Sequence, residues 1–267
     1  MDTTTSFNAN DPRNINERLT KLRSKLGANS PSVGTWLQLN SPDTAEIVAS
    51  AGYDWIAVDL EHGCIDISSL PDIFRAISLS STLPLVRLPD KNTTTLKRCL
   101  DAGAAGFIIP NILDSSELNV LMDSSRWPPS GGRGVGFCRV NQYGKRFKPY
   151  HQLSQCPFVV PMIENIKALA CLDEVLSLNI DAIFIGPYDL SASMGITGEL
   201  DNPELTKTIE KILEKCREYN VPCGMHQVSP KSNELYSLIK RGFLFIAYSM
   251  DSVFLNQASK NPLLTEL

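Results

Sequence analysis

The chain has 267 residues, of which 43% are hydrophobic and 20% are charged, a composition typical of a globular protein with a large core. Its net charge is −4, and it has neither a basic patch nor an apolar run near the ~20 residues that span a bilayer, so we expect no nucleic-acid partner and no membrane. The seven cysteines form no C-x-x-C pair and the amino terminus lacks an apolar signal region, which favours a cytoplasmic protein with reduced thiols.

The predicted elements alternate regularly along the chain. Residues 1–13 are polar and are predicted to be a disordered tail, and a short helix follows over 14–26. Eight short strands then alternate with helices, and most strands are apolar throughout, as expected for parallel strands buried on both faces. We predict strands over 33–39, 55–61, 83–89, 106–111, 158–163, 182–185, 221–227 and 243–250.

This alternation predicts an α/β fold, a single (β/α)8 TIM barrel over residues 14–267. The short first helix would close the bottom of the barrel or lie on a neighbouring subunit. A doubly wound open sheet is the alternative, but no G-x-G-x-x-G follows the first strand and no P-loop is present. In a barrel, functional residues belong at the carboxyl ends of the strands.

Two carboxylates stand at the carboxyl ends of successive predicted strands. Glu164 closes the fifth strand, and Asp189 follows the sixth. Their oxygens suit a hard cation such as Mg²⁺ or Mn²⁺, with waters in the remaining coordination positions. The alternative, which spacing alone leaves open, is that both acids stabilise the amino ends of helices.

A charged residue and two histidines extend this candidate site. Arg87 lies inside an otherwise apolar strand and needs an anionic partner, either a substrate carboxylate or enolate, or else Asp59 or Glu61. His62, at the end of the second strand, is interpreted as a catalytic base or as a structural imidazole. His226, at the end of the seventh strand, could line the same pocket.

An insertion over 126–157 is rich in glycine, arginine and aromatic residues. Its glycines would allow backbone amides to face an anion beside Arg133 and Arg139. The alternative is a flexible loop whose arginines are solvated.

Six segments of the chain match the motifs of a known family, in the same order and over nearly the whole barrel. The sequence resembles the HpcH/HpaI family, the metal-dependent class II pyruvate aldolases of the phosphoenolpyruvate/pyruvate-binding barrel superfamily. The segments are GYDWIAVDLEHG (52–63), VRLP (86–89), LDAGAAGFIIP (100–110), RWPPSGGRGVG (126–136), MIEN (162–165) and IGPYDLSASMG (185–195).

The resemblance implies how pyruvate would be held. Glu164 and Asp189 would ligate a divalent cation, Mg²⁺, Mn²⁺ or Co²⁺. Arg87 would hold the keto or enolate oxygen, and backbone amides around Pro187 to Asp189 would bind the carboxylate. We predict further substrate contacts from Trp36, Met162, Gly186, Pro187, Tyr188 and His226.

The resemblance also implies proton transfer and assembly. His62 would act at the aldol hydroxyl, supported by Asp59 and by Asp101 from a neighbouring subunit. The family forms hexamers, dimers of trimers that exchange their C-terminal helices, so we expect a homo-oligomer, a hexamer or a trimer. The helix after Ser252 is short for such an exchange.

The chain departs from the family pattern beside the implied ligands. Met162 stands where aldolases often carry Gln, and Tyr188 stands where the residue is often small. His226 and Gln227 replace apolar residues common near the seventh strand. These changes leave the implied metal and pyruvate contacts in place and concern the acceptor aldehyde.

We therefore predict a carbon–carbon lyase that cleaves a 4-hydroxy-2-oxo acid to pyruvate and an aldehyde by a metal-dependent retro-aldol reaction, and that runs the reverse reaction. One alternative keeps the site but decarboxylates oxaloacetate or transfers the resulting enolate. A citrate-lyase-like CoA ester lyase fits the motifs less well. The alternative from another class is a pyruvate-binding barrel without catalysis.

Overall fold

Short runs of apolar residues form eight parallel strands that close into a barrel in chain order, β8 pairing with β1. The closing pair brings Gly34 beside Ala247, so the predicted (β/α)8 fold is confirmed and the open sheet is excluded. The strands are β1 (Ser32–Leu37), β2 (Trp55–Asp59), β3 (Leu83–Arg87), β4 (Gly106–Ile109), β5 (Phe158–Ile163), β6 (Ile183–Ile185), β7 (Cys223–Gln227) and β8 (Phe245–Met250).

The computed structural model describes residues 15–145, 147–148 and 156–261. The predicted tail, residues 1–13, lies outside the described residues. Within those ranges, no helix has the length and apolar character needed to cross a membrane.

Helices surround the barrel, and several begin and end where the sequence predicts. Ser41 caps one of them, since its Oγ accepts the Thr44 N–H at 3.1 Å, and Gly103 ends another with a φ of +118°. The helices are α1 (Ile15–Gly27), α2 (Pro42–Ser50), α3 (Leu70–Ile77), α4 (Thr93–Ala102), α5 (Ser115–Ser125), α6 (Leu172–Leu176), α7 (Pro187–Ser193), α8 (Pro203–Glu218), α9 (Ser232–Arg241) and α10 (Asp251–Ala258).

The segment after β5 differs from its prediction. The alternation of strands and helices predicts one helix here, but the segment forms a 3₁₀-helix (Ile166–Ala170) and then the short α6. A further short helix, α7, follows β6 directly and was not predicted. It begins with Pro187, a residue that favours a first helical turn, but its seven residues are too few to show a helical period.

The bottom of the barrel is closed by α1, which confirms one of the two predicted placements. Leu19, Leu22 and Leu26 of α1 are buried against the inward-facing aromatic residues of the strands. Among these, Trp55 and Phe245 stack with ring centroids 4.2 Å apart. Burying each of these leucines stabilises the folded state by roughly 1.5–3 kcal/mol. Packing at the closed lower end therefore stabilises the barrel whose upper end is open.

At the upper end, Asp251 links the last strand to the first. It begins α10, is buried, and accepts the backbone N–H groups of Gln38 and Leu39, each at 2.9 Å, and that of Ser252 at 2.8 Å. One carboxylate therefore fixes the loop after β1 against the start of α10.

Replacing Asp251 by Ala should lower the free energy of unfolding by about 2–4 kcal/mol, because buried N–H donors lose their acceptor. Urea denaturation would measure the loss. Asp72→Ala, at an exposed acid in the first turn of α3, is the matched control and should change stability by no more than about 0.5 kcal/mol. Equal effects of the two substitutions would contradict this role of Asp251.

Candidate active site

A cavity of about 390 Å³ opens at the carboxyl ends of the strands. All of the predicted site residues except Glu164 and Asp101 line it. A larger cavity of about 490 Å³ lies at the opposite end of the barrel, between α1 and α8, and contains none of the predicted residues. The predicted residues other than Glu164 and Asp101 therefore share one concave surface at the carboxyl ends.

Arg87 and two acids form the centre of this site. The Arg87 Nε donates to Asp59 Oδ1 at 2.8 Å and its Nη2 donates to Asp59 Oδ2, while its Nη1 lies 3.1 Å from Glu61 Oε2. The predicted protein partners of Arg87 are thus both present. A guanidinium has five N–H groups, and these three contacts leave two, one on each terminal nitrogen.

The carboxylate of Asp59 is saturated with donors. Besides Arg87, it accepts the Gln38 Nε2 at 3.0 Å and the backbone N–H groups of Glu61 at 3.0 Å and His62 at 3.2 Å. Burial alone would raise the pKa of Asp59, but the hydrogen bonds and charge of Arg87 hold that pKa below its usual value. Asp59 therefore orients Arg87 and the turn that carries His62.

Glu164 lies behind the cavity wall and is almost completely buried, with 6% exposure. Its Oε1 accepts the Asn111 N–H at 2.6 Å, whereas the helical segment after it is capped by Asn165. The side chain of Glu164 is thus not a helix cap. A Cβ added at Gly186 would lie 2.6 Å from the Glu164 Oε2, so only glycine leaves this oxygen its place.

Asp189 is in the first turn of α7 and lines the cavity. Burial raises the pKa of Glu164 to about 7, and the negative charges of Glu61 and Asp189 add to the increase, although the Asn111 N–H and Arg87 oppose it. The carboxylate of Glu164 is thus within the electrostatic influence of two further acids and of Arg87. A cation beside Glu164 and Asp189 would relieve this repulsion.

The donor set fits a hard divalent cation. In the described part of the chain, no group of three or more His, Cys, Asp or Glu side chains is arranged around a common point. Two carboxylates that leave several positions to water and substrate are a typical arrangement for Mg²⁺. Glu164 and Asp189 are the residues that would hold such an ion.

The predicted proton carrier, His62, stands at the mouth of the cavity. Its side chain is 58% exposed, and its Nε2 lies 3.9 Å from the Glu61 Oε2. Its backbone N–H is held by Asp59, whereas more than half of its side chain is exposed to solvent. This position allows His62 to reach a substrate that enters from solvent.

The wall opposite the acids is aromatic. The Trp36 ring lies under the Arg87 guanidinium at 4.6 Å and meets Phe184 edge to face at 5.7 Å. On its other side, Trp36 contacts the imidazole of His226, with ring centroids 5.8 Å apart. Tyr188, by contrast, is half exposed and lies at the rim.

Asp101 lies outside the cavity of its own chain. It is in α4 and pairs with Arg133, which is 4% exposed and stacks over the Trp127 ring at 4.9 Å. Arg139 donates to the Ala102 carbonyl at 3.0 Å. Arg133 and Arg139 are therefore held by contacts within their own chain and are not turned towards the cavity. The role of Asp101 towards a neighbouring subunit stays a prediction.

Two polar residues at strand ends, Gln38 and Asn111, help to position the site, although the sequence assigns them no role. Gln38 is two positions after Trp36, and the alternation of side chains along a strand could have placed both towards the barrel axis. Asn111 delivers its N–H to Glu164 with a φ of +46°, a conformation that Asn tolerates better than most residues. No sequence pattern reports which acceptor such an N–H meets.

With this geometry in hand, comparison with known proteins assigns a family. A family model described as HpcH/HpaI aldolase/citrate lyase matches residues 32–258. The chain belongs to this family, and the predicted class of enzyme, a lyase of the aldolase type, is confirmed.

The chain is similar to several characterised or solved relatives. It is 31% identical to a 5-keto-4-deoxy-D-glucarate aldolase of Salmonella paratyphi A over 86% of this chain and 90% of the relative. An HpcH/HpaI aldolase/citrate lyase family protein from Burkholderia cenocepacia superimposes with a TM-score of 0.85 at 28% identity, covering 92% of this chain and 98% of the other. An HpcH/HpaI aldolase from Desulfitobacterium hafniense gives 0.82 at 28% identity, with coverage of 92% and 97%.

Gly186→Ala should weaken the binding of Mn²⁺ at least about tenfold, because the new Cβ displaces the Glu164 Oε2. Isothermal titration calorimetry would measure the affinity. Gly134→Ala is the matched control, since a Cβ there meets no atom within 4 Å. Unchanged affinity in Gly186→Ala would rule out Glu164 as a ligand held in this position.

The stability of the protein should fall in acid partly because of His226. Burial lowers the pKa of His226 to about 4, whereas the unfolded chain titrates near 6.5, so the unfolded state binds the proton first. Stability from this source is present above pH 6.5 and is lost as the pH falls towards 4, by up to about 3 kcal/mol. Urea denaturation between pH 8 and 4.5 should show a shallower loss in His226→Gln than in the parent. Parallel curves would contradict the prediction.

Proposed function

We propose that the chain catalyses divalent-metal-dependent retro-aldol cleavage of a 4-hydroxy-2-oxo acid to pyruvate and an aldehyde, and the reverse condensation. One observation carries the proposal. An acid, Asp189, and an arginine with two remaining N–H groups line one cavity, and a second, buried acid, Glu164, lies behind its wall, near enough for both charges to affect its pKa. Such a set suits a small 2-oxo acid, which presents a carboxylate beside a carbonyl oxygen.

The pyruvate end of the substrate is placed against the first turn of α7 and Arg87. The amides of Tyr188 and Asp189 have no acceptor within their own helix, as is general for first-turn N–H groups, and we assign them to the carboxylate. The two remaining N–H groups of Arg87 would hold the 2-oxo oxygen. Because Asp59 and Trp36 fix the guanidinium on two sides, it needs little reorganisation during the reaction.

Negative charge develops on the 2-oxo oxygen as the C3–C4 bond breaks, and Arg87 is positioned to stabilise it. A divalent cation held by Glu164 and Asp189 would supply the Lewis acid that polarises this carbonyl. The acids themselves, without a cation, would oppose the developing charge.

His62 is assigned to the 4-hydroxyl. It takes the hydroxyl proton, the C3–C4 electron pair moves into the pyruvate enolate, and the aldehyde leaves. The enolate then takes up a proton at C3 to give pyruvate. The position of His62 at the mouth supports this assignment, since in the proposed placement C4 extends away from α7 and Arg87.

The same site favours a second candidate reaction, the decarboxylation of oxaloacetate. That reaction passes through the same enolate and needs no base at a hydroxyl, so it would not require His62, whose side chain is 58% exposed. Comparing the turnover of oxaloacetate with that of 4-hydroxy-2-oxo acids, in His62→Ala as well as the parent, distinguishes the two. Loss of aldol cleavage with retained decarboxylation in His62→Ala would identify cleavage as the reaction that uses this residue.

We further propose a homo-oligomer, a hexamer or a trimer, that works in the cytoplasm. The insertion beside Asp101 carries two well-exposed aromatic residues, Phe137 and Tyr143, which supports contact with another copy. The seven cysteines are all unpaired, which supports a reducing compartment.

The cation-dependent step can be tested on pyruvate alone. The protein with Mg²⁺ should exchange the methyl protons of pyruvate in D₂O, as followed by proton NMR, and EDTA should abolish the exchange. Glu164→Gln and Asp189→Asn should each slow it by roughly a hundredfold or more. Glu46→Gln, an exposed acid of α2, is the control and should exchange at the parental rate.

Two outcomes would exclude this mechanism. One is exchange that survives exhaustive EDTA treatment. The other is a covalent adduct trapped by borohydride in the presence of pyruvate, since the proposal involves no lysine Schiff base.

A further inference from the structure

The cavity has two chemically different halves, as the strand order shows. The acids and Arg87 belong to β2, β3, β5 and the turn after β6, which together form one side. The other side is formed by β7, β8 and β1, which are neighbours in the closed barrel. Its lining residues are Trp36, Gln38, His226, Val228 and Met250, and the amide of Gln38 is already bonded to Asp59 and Ser252. Whatever lies beyond C4 of a substrate held at Arg87 must fill this second half.

His226, the polar residue of this half besides Gln38, is uncharged at neutral pH. Its Nε2 lies 3.2 Å from the Ser249 carbonyl, which only accepts, so the Nε2 carries the hydrogen and donates it. Its ring also packs against Trp36. The burial that lowers the pKa of His226 agrees with the neutral form.

A second substrate carboxylate finds no counter-ion in this half. Among the described residues that line the cavity, Arg87 is the sole cationic side chain, and Asp59 and Glu61 already flank it. Behind β7, Lys231 lies 3.2 Å from an oxygen of Glu234, so it too is paired. An unpaired carboxylate against Trp36 and Met250 would lose its hydration without compensation.

We propose that the aldehyde half of the substrate is uncharged and predominantly apolar, so that the substrate is a 4-hydroxy-2-oxo acid whose carbons beyond C4 carry no second carboxylate. This inference rests on the proposed aldol reaction and names its substrate class. Trp36 and Met250 supply the apolar contact, and the Nδ1 of the neutral His226 can accept a hydrogen bond without adding charge. Val228, at the open side between them, is a specificity-determining position.

The test compares two aldehydes of equal length. The protein is supplied with pyruvate, Mg²⁺ and either butanal or 4-oxobutanoate, which differ in a terminal methyl group against a terminal carboxylate. Condensation with butanal should have a kcat/KM at least about tenfold higher than that with 4-oxobutanoate. Pyruvate methyl exchange, measured on the same preparation, reports the pyruvate half of the site independently of the acceptor.

A charge-introducing variant sharpens the test. Val228→Lys places an ammonium group at the wall of the apolar half and should reduce the preference for butanal at least about tenfold, chiefly by raising kcat/KM for 4-oxobutanoate. Val228→Met has a similar length without charge and should keep the parental preference. Pyruvate exchange in both variants shows that the fold and the pyruvate half are intact.

Each outcome decides the proposal. The proposal is supported if the protein exchanges the methyl protons of pyruvate and prefers butanal, and if Val228→Lys reduces that preference while Val228→Met keeps it. The proposed substrate class is overturned if pyruvate exchange occurs but 4-oxobutanoate is used as well as or better than butanal. It is also overturned if exchange occurs and butanal does not condense. In both cases the assignment of the pyruvate half is retained. Absence of both exchange and condensation overturns the proposed function, and the substrate class with it.

Discussion

The buried pair of Arg87 and Asp59 is the interaction on which the upper end of the barrel depends. A guanidinium at the end of a strand with 8% exposure is tolerated because a carboxylate meets it in a bidentate contact. That carboxylate also orders Gln38 from β1 and the main chain that carries His62. One ion pair therefore sets the relative positions of three segments that are distant in sequence.

Charge balance explains the remaining polar architecture. Arg87 neutralises Asp59, but Glu61, Glu164 and Asp189 add negative charge to the same small volume. Burial and these neighbours raise the pKa of Glu164 to about 7. A bound cation would stabilise the ionised form of Glu164 against this repulsion. Because acids outnumber basic side chains at this one place, the site is suited to a divalent cation, which is consistent with the proposed cation-dependent reaction.

The sequence predicted the barrel because apolar strands of the right length alternate with capped helices, and both signals are local. It also placed the acids, Arg87 and His62 at one end of the barrel, since the fold brings all strand ends together. It did not predict α7 or the break between Ile166 and Leu172, where elements are too short to show a period. The buried contacts of Arg133 in the insertion were missed for another reason, because its partner Asp101 is on a different helix.

By itself, then, the sequence determined the fold class, the family motifs and the set of polar residues that meet at the top of the barrel. Tertiary structure alone decided what each group touches: that Arg87 is shared by Asp59 and Glu61, that Glu164 is held by the Asn111 N–H, and that His226 is neutral beside Trp36. The physical reason is range. Helix caps and apolar periods act over a few residues, whereas burial, charge and hydrogen bonding at the site join residues from different strands.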